Sequence, residues 1–172
     1  YARHHEVDVE QELPRVGIHP EFLYQASRYR DNRYTEGMKK AMQNRELIKD
    51  CLNEYRDEEH KMKKDDVYWP IAAFCCKCNK DTTEITGYDG EYGVSYKCSS
   101  CGHEEHGDLR TSKEFKLGWR VDWPMRWNEE KVIFEPGGKD HISPGGSYDT
   151  AKLVSKKIYG WDAPVTMKYD FV

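Results

Sequence analysis

Two Cys-x-x-Cys steps, at Cys75 and Cys78 and again at Cys98 and Cys101, limit what this chain can fold into more than any other feature. Each step presents two thiolates from one tight turn, and a tetrahedral ion such as Zn²⁺ takes two such pairs. Nineteen residues, 79–97, separate the pairs, a spacing that suits a zinc ribbon. Between them, Thr82–Thr86 and Tyr92–Lys97 read as two strands joined through a Tyr88-Asp89-Gly90 turn. The expected metal site is therefore Cys75, Cys78, Cys98 and Cys101, with no coordination position left open and a structural role for the ion. Cys76 lies inside the first step and is left out of the tetrahedron. His103 and His106 follow the second step and could replace a cysteine as ligand, but in a polar Gly-His-Glu-Glu-His-Gly run they read more readily as solvated.

The remainder of the chain is organised around that module. A length of 172 residues supports one good core, or a small core with a satellite. No window approaches the ~18 apolar residues of a membrane span, so no membrane partner is expected. Paired cysteines at metal-ligand spacing suit a reducing compartment, and the expected location is the cytoplasm. The start, Tyr1-Ala2-Arg3-His4-His5, has neither an initiator methionine nor the apolar stretch of a signal peptide, so a fragment of a longer protein is expected. The net charge of −4 argues against a generic nucleic-acid coat. A local basic run, Arg28, Arg30, Arg33, Lys39, Lys40 and Arg45, suits either phosphate contact or a solvated helix face.

Pro20 predicts the first turn of a helix running to about Arg30. Thr35 predicts the N-cap of a longer helix with Met38, Ala41, Met42, Ile48, Cys51, Leu52 and Tyr55 on one stripe, more a core face than a cofactor surface. Asp57–Asp66 is a charged run that reads as a helix end and linker. Beyond the cysteine module, Leu117, Trp119, Val121 and Trp123 alternate with polar residues and predict a strand. Val132-Ile133-Phe134 predicts a short buried strand with Gly137-Gly138-Lys139-Asp140-His141 at its carboxyl end, where open α/β sheets bind ligands. Ser147 then caps a helix carrying Tyr148, Ala151, Val154 and Ile158, with Gly160 past its end. A final strand carries Val165, Met167, Tyr169 and Phe171 on one face.

The block from Trp119 to Thr150, reading WRVDWPMRW, KVIFEPGGKDH and SPGGSYDT, resembles the second half of the catalytic domain of class I lysyl-tRNA synthetases. The likeness runs from Leu13-Pro14-Arg15-Val16-Gly17-Ile18 to Tyr169-Asp170-Phe171-Val172. It implies an α/β fold, part of a class I synthetase Rossmann-like nucleotide-binding domain with an inserted helical segment and a zinc ribbon. The implied division is 1–66 for the helical part of the insertion, 67–115 for the ribbon and 116–172 for the second-half segment. The implied activity is ligation of lysine to tRNA(Lys) through lysyl-adenylate, with ATP as substrate and Mg²⁺ expected.

In that reaction the substrate carboxylate is already the nucleophile, so no acid–base residue is required and alignment of two anions is the main task. Gly137 and Gly138 permit close backbone approach to a nucleotide, and Asp140 can accept hydrogen bonds from ribose hydroxyls. The resemblance places the family's Gly-x-Asp ribose step on Gly138 and Asp140. It also places a lysine-recognising tryptophan and histidine on Trp119 and His141, with Tyr169 as a further match. Asp122 is added for its charge and neighbourhood, as a carboxylate for the ammonium. For Trp123 and Trp127 core packing is the better reading.

No His-Ile-Gly-His-like motif is present. Lys61-Met62-Lys63-Lys64-Asp65 looks like a Lys-Met-Ser-Lys-Ser loop but precedes the Trp119 block and is rejected as one. The chain alone is therefore expected to be inactive. Two alternatives remain at this stage, another class I synthetase of the glutamyl-like group and a non-catalytic zinc-ribbon module that binds nucleic acid.

Overall fold

The computed structural model describes residues 2–170. Its helices are α1 (Ala2–Glu12), α2 (Gln25–Arg30), α3 (Thr35–Gln43), α4 (Arg45–Asn53), α5 (Trp119–Glu129), α6 (Lys139–Ile142) and α7 (Ser147–Val154), the last continuing as a π-helical turn to Tyr159. The strands are β1 (Ile71–Ala73), β2 (Thr83–Tyr88), β3 (Gly93–Cys98), β4 (Glu104–Asp108), β5 (Phe115–Leu117), β6 (Phe134–Gly138) and β7 (Val165–Tyr169).

Three small sheets divide the work. β1 and β5 pair antiparallel, Ile71 opposite Leu117 and Ala73 opposite Phe115, and form a neck. The chain leaves through β1, builds the antiparallel sheet β2-β3-β4 and returns through β5. The β2–β3 turn is fixed by Asp89, whose Oδ1 accepts from the amides of Glu91 (2.7 Å) and Gly93 (3.0 Å). The third sheet is the parallel pair β6–β7, joined through α6 and α7, a βαβ unit.

One continuous core ties these parts together. Met38, Ala41, Met42, Ile48, Cys51 and Leu52 of α3 and α4 meet Val121 and Met125 of α5 and Val154 and Ile158 beyond. The same cluster extends into the cysteine module through Val94, Tyr96, Leu109 and Phe115. A second cluster gathers Trp127, Tyr148 and Ala151, with Trp123 packed on it. The core stripe expected along 38–52 is thus observed, although Tyr55 at its end is exposed.

Several local expectations are corrected. No helix starts at Pro20: residues 18–24 form no regular element and lead to Tyr24, whose hydroxyl donates to Glu10 Oε1 at 2.5 Å and whose ring receives the Arg3 guanidinium at 4.9 Å. These contacts hold Tyr24 against α1, and the helix starts at Gln25. The single long helix from Thr35 is two helices. Asn44 leaves helical geometry (φ −110°, ψ 22°) while its side-chain amide donates to the Lys40 carbonyl at 2.8 Å, a local bond that competes with helix propagation. Thr35 is the first helical residue and not the cap, and its hydroxyl donates to the carbonyls of Asn32 and Leu109 instead.

The expected strand at Trp119–Trp123 is the start of α5. Gly118 ends the β5 pairing, and its carbonyl accepts from the amides of Val121 (2.9 Å) and Asp122 (2.8 Å). Burial then follows helical spacing, through Val121, Pro124 and Met125. Over so few residues, apolar positions two and four apart fit either period. The strand expected at Val132–Phe134 begins only at Phe134 and is not buried, since Ile133 is 77% and Phe134 51% exposed. In β7, Val165, Met167 and Tyr169 do share a face, but an exposed one; Phe171 lies outside the described residues. No helix among the described residues is long and apolar enough to cross a membrane.

Candidate functional site

The four expected thiols converge. Cys75, Cys78, Cys98 and Cys101 bring their Sγ atoms within 4.8 Å of one another, with Cys75–Cys101 and Cys78–Cys98 both at 3.6 Å. A tetrahedron of thiolates at ~2.3 Å from a metal has edges of about 3.8 Å, whereas a disulfide would close to about 2 Å. The donor set therefore fits one four-thiolate metal ion.

The two knuckles are built alike. Asn79 (φ 58°) and Gly102 (φ 73°) follow the second cysteine of each, and their amides donate back to the carbonyls of Cys75 (2.8 Å) and Cys98 (2.9 Å). That left-handed step turns the chain so that both sulfurs face one point. At Cys98, burial opposes ionisation, but the main-chain amides of Cys101 and Ser100 outweigh it and lower the thiol to about 6. Cys76 stands apart from the four, as expected.

Outside the cysteine module, the parallel pair ends on the glycines. Gly137 and Gly138 are the last residues of β6, with Gly138 opposite Tyr169. Lys139, Asp140 and His141 form the short helix that follows, so the motif does sit at the carboxyl end of a parallel strand. Gly145 and Gly146 are required by the return turn. Gly145 takes φ +74°, and a Cβ on Gly146 would lie 2.7 Å from the Ser143 carbonyl oxygen and 2.9 Å from that of His141.

Trp119 and His141, 22 residues apart in sequence (141 − 119), are ring neighbours at 5.9 Å, edge to face, and Trp123 approaches His141 at 6.3 Å. Trp119 is half exposed. Trp127 is buried, as expected of a core residue, and its indole N–H donates to Glu135 at 3.0 Å.

Two cavities meet this region. The larger, about 780 Å³, runs between α2, β5 and the first knuckle and is lined by Gln25, Tyr29, Arg30, Trp119 and Asp122 among others. Asp122 reaches it with both oxygens engaged: one accepts the Tyr29 hydroxyl, the other the Arg126 Nε at 2.8 Å. Burial, reinforced by the Asp122 charge and hydrogen bond, pushes the Tyr29 phenol far up. The smaller cavity, about 330 Å³, brings Asp140 and the Gly145-Gly146 turn together with Arg56 and Arg120.

Arg56 and Arg120 were not singled out from sequence. Arg120 sits beside the Trp119 signal but looked like the polar side of a strand, and only the helical turn sends it toward Asp140. The charged linker Asp57–Asp66 is anchored at its end. The ammonium of buried Lys49 donates to the Lys64 and Asp66 carbonyls, both at 2.9 Å, and tethers that segment to α4.

Comparison with known proteins places the chain in a family. A family model described as tRNA synthetases class I (K) matches residues 1–172. The lysine–tRNA ligase of Treponema pallidum is 51% identical over the whole chain, that of Borreliella burgdorferi 48% and that of Thermococcus kodakarensis 42%. In each case the chain spans 32%, about a third, of the relative's length.

Proposed function

Because this chain belongs to the class I (K) tRNA synthetases, we propose that it is a segment of a lysine–tRNA ligase, which joins lysine to ATP as lysyl-adenylate and transfers it to tRNA(Lys). The observation that carries the reading is the contact between Trp119 and His141 at the carboxyl end of β6, beside Gly137, Gly138 and Asp140. An aromatic wall suits the four methylenes of a lysine side chain, and polar neighbours suit its ammonium.

Each residue then has an assigned task. Trp119 and His141 frame the side-chain pocket, with Tyr169 at the adjoining strand end. Asp140 accepts the ribose hydroxyls while Gly137 and Gly138 let the nucleotide approach the backbone. Arg56 and Arg120, across the cavity from Asp140, suit a phosphate-bearing ligand, with Mg²⁺ accompanying ATP. Asp122 serves the pocket from its place in the groove, by holding Tyr29 and Arg126. The division into a helical part (1–66), a ribbon (67–115) and a Rossmann-like segment (116–172) is retained, the β1–β5 neck supporting the ribbon boundaries.

The four thiols are assigned to Zn²⁺. Four cysteine ligands leave no open position, so the ion would act on structure alone, holding β2-β3-β4 against the first knuckle. Retention of four unbridged thiols in this role suits the cytoplasm.

Amino-acid-dependent ATP–pyrophosphate exchange by the full-length protein tests the reading. Exchange should depend on lysine. Dependence on glutamate, or no exchange with any amino acid, would overturn it.

A further inference from the structure

Cys76, left over from the four-thiol site, is not isolated. Its Sγ lies 3.2 Å from His103 Nε2 and 3.5 Å from Glu105 Oε2, and those two atoms are 3.1 Å apart. Three donor atoms of different type thus form a closed triangle on the surface of the cysteine module.

Hydrogen bonding alone serves this triangle poorly. Without a metal, the Cys76 thiol and a His103 Nε2–H both donate to the one oxygen Oε2 of Glu105, and the 3.2 Å sulfur–nitrogen edge has no proton of its own. A cation at the centre satisfies all three. For zinc bound tetrahedrally by one sulfur, one imidazole nitrogen and one carboxylate oxygen, the edges of the ligand triangle are about 3.4 to 3.6 Å. The observed edges match within a few tenths of an ångström.

The framework around the triangle is fixed by buried structure. Cys76 is held through its amide, which donates to the hydroxyl of buried Tyr96 at 2.9 Å. Tyr96 in β3 is paired with Glu105 in β4, so one residue positions the cysteine from one side and the carboxylate from the other. His103 enters β4 immediately beforehand. The first knuckle and the third strand are thereby brought to one point. The side chains of His103 and Glu105 remain 27% and 41% exposed, so water reaches the same point.

We propose that Cys76, His103 and Glu105 form a second zinc site on this module, distinct from the four-cysteine site, with a solvent molecule completing the tetrahedron. On binding, the Cys76 thiol proton leaves to solvent and the thiolate sulfur, the imidazole Nε2 and the carboxylate oxygen each donate one pair to the ion. Three protein ligands and an open position make it the exchangeable site of the two, whereas four thiolates hold their ion against dilution. The inference is independent of the lysine-ligase reading, because it uses none of the residues assigned to substrate.

Equilibrium dialysis of the full-length protein against micromolar zinc, followed by elemental analysis, tests it by difference. Wild type should hold one zinc equivalent more than C76S, and one more than E105Q, whose isosteric amide preserves the strand. After brief treatment with a chelator of moderate strength, wild type and both variants should become equal. Cobalt loading should add to the wild type a single-thiolate charge-transfer absorption that C76S lacks. Equal zinc in wild type and E105Q before chelation, or an unchanged cobalt spectrum in C76S, would overturn the proposal.

Discussion

Replacing Asp122 by asparagine separates a positioning role from direct contact with a lysine ammonium. In the structure its carboxylate accepts the Tyr29 hydroxyl and the Arg126 Nε, and its side chain is only 15% exposed. A hydrogen bond from a buried phenol to a charged acceptor contributes about 1.5 to 3 kcal/mol. The Arg126 pair is partly exposed, with 30% of the arginine side chain accessible, so it adds only about 0.2 to 1 kcal/mol. Asparagine keeps the shape and one acceptor but removes the charge, so D122N should ease the opening of α5 from α2 by about 2 to 3 kcal/mol in all, the Tyr29 bond crossing to α2 and the Arg126 pair lying within α5. At about 1.4 kcal/mol per factor of ten, local opening becomes roughly thirty- to 150-fold more frequent. Hydrogen exchange read by mass spectrometry on the full-length protein should show amides of Trp119–Glu129 and Gln25–Arg30 exchanging faster by that factor. The lysine KM in pyrophosphate exchange should stay within about threefold of wild type. Unchanged protection in α5 together with a steep rise in lysine KM would refute the reasoning and put the carboxylate on the substrate.

Other outcomes follow from the same geometry. Asp140→Ala should weaken ATP use by roughly ten- to a hundredfold, the equivalent of one hydrogen bond to a charged acceptor, while Trp119→Ala should act on lysine use, both read as kcat/KM in the full-length enzyme. The 172-residue chain by itself should give no lysine-dependent exchange, and robust exchange would show that it holds everything the reaction needs. Cys98→Ser should lose the chelator-resistant zinc and Cys76→Ser should keep it; equal loss would mean that the wrong four thiols were chosen. Gly102→Ala, at φ 73° and with open space around the new methyl, should cost about 1 to 2 kcal/mol from backbone strain alone, visible as faster zinc release to a chelator.

Short-range chemistry is legible in the residues alone. The two knuckles are set by spacing within four residues each, with Asn79 and Gly102 supplying the left-handed turn, so the four thiols could be named without a fold. The apolar stripe through Met38, Met42, Ile48 and Leu52 survived the break at Asn44, because the same residues still face one core. The neighbourhood of Trp119 and His141 was legible only through the family resemblance, since nothing in their spacing brings two rings together across 22 residues. Tertiary structure decided the rest. Trp119–Trp123 is helical because Gly118 ends the β1–β5 pairing there and Val121 and Met125 meet a core already laid down by α3, while the bare pattern fits a strand equally well. The engagement of Asp122 depends on Tyr29, 93 residues away, and no sequence signal announces that bond. The triangle of Cys76, His103 and Glu105 exists because the β3–β4 register sets Glu105 beside Tyr96, whose hydroxyl also holds the Cys76 amide. Metal-ligand spacing within a turn is a property of the chain, but a site assembled across strands is a property of their pairing.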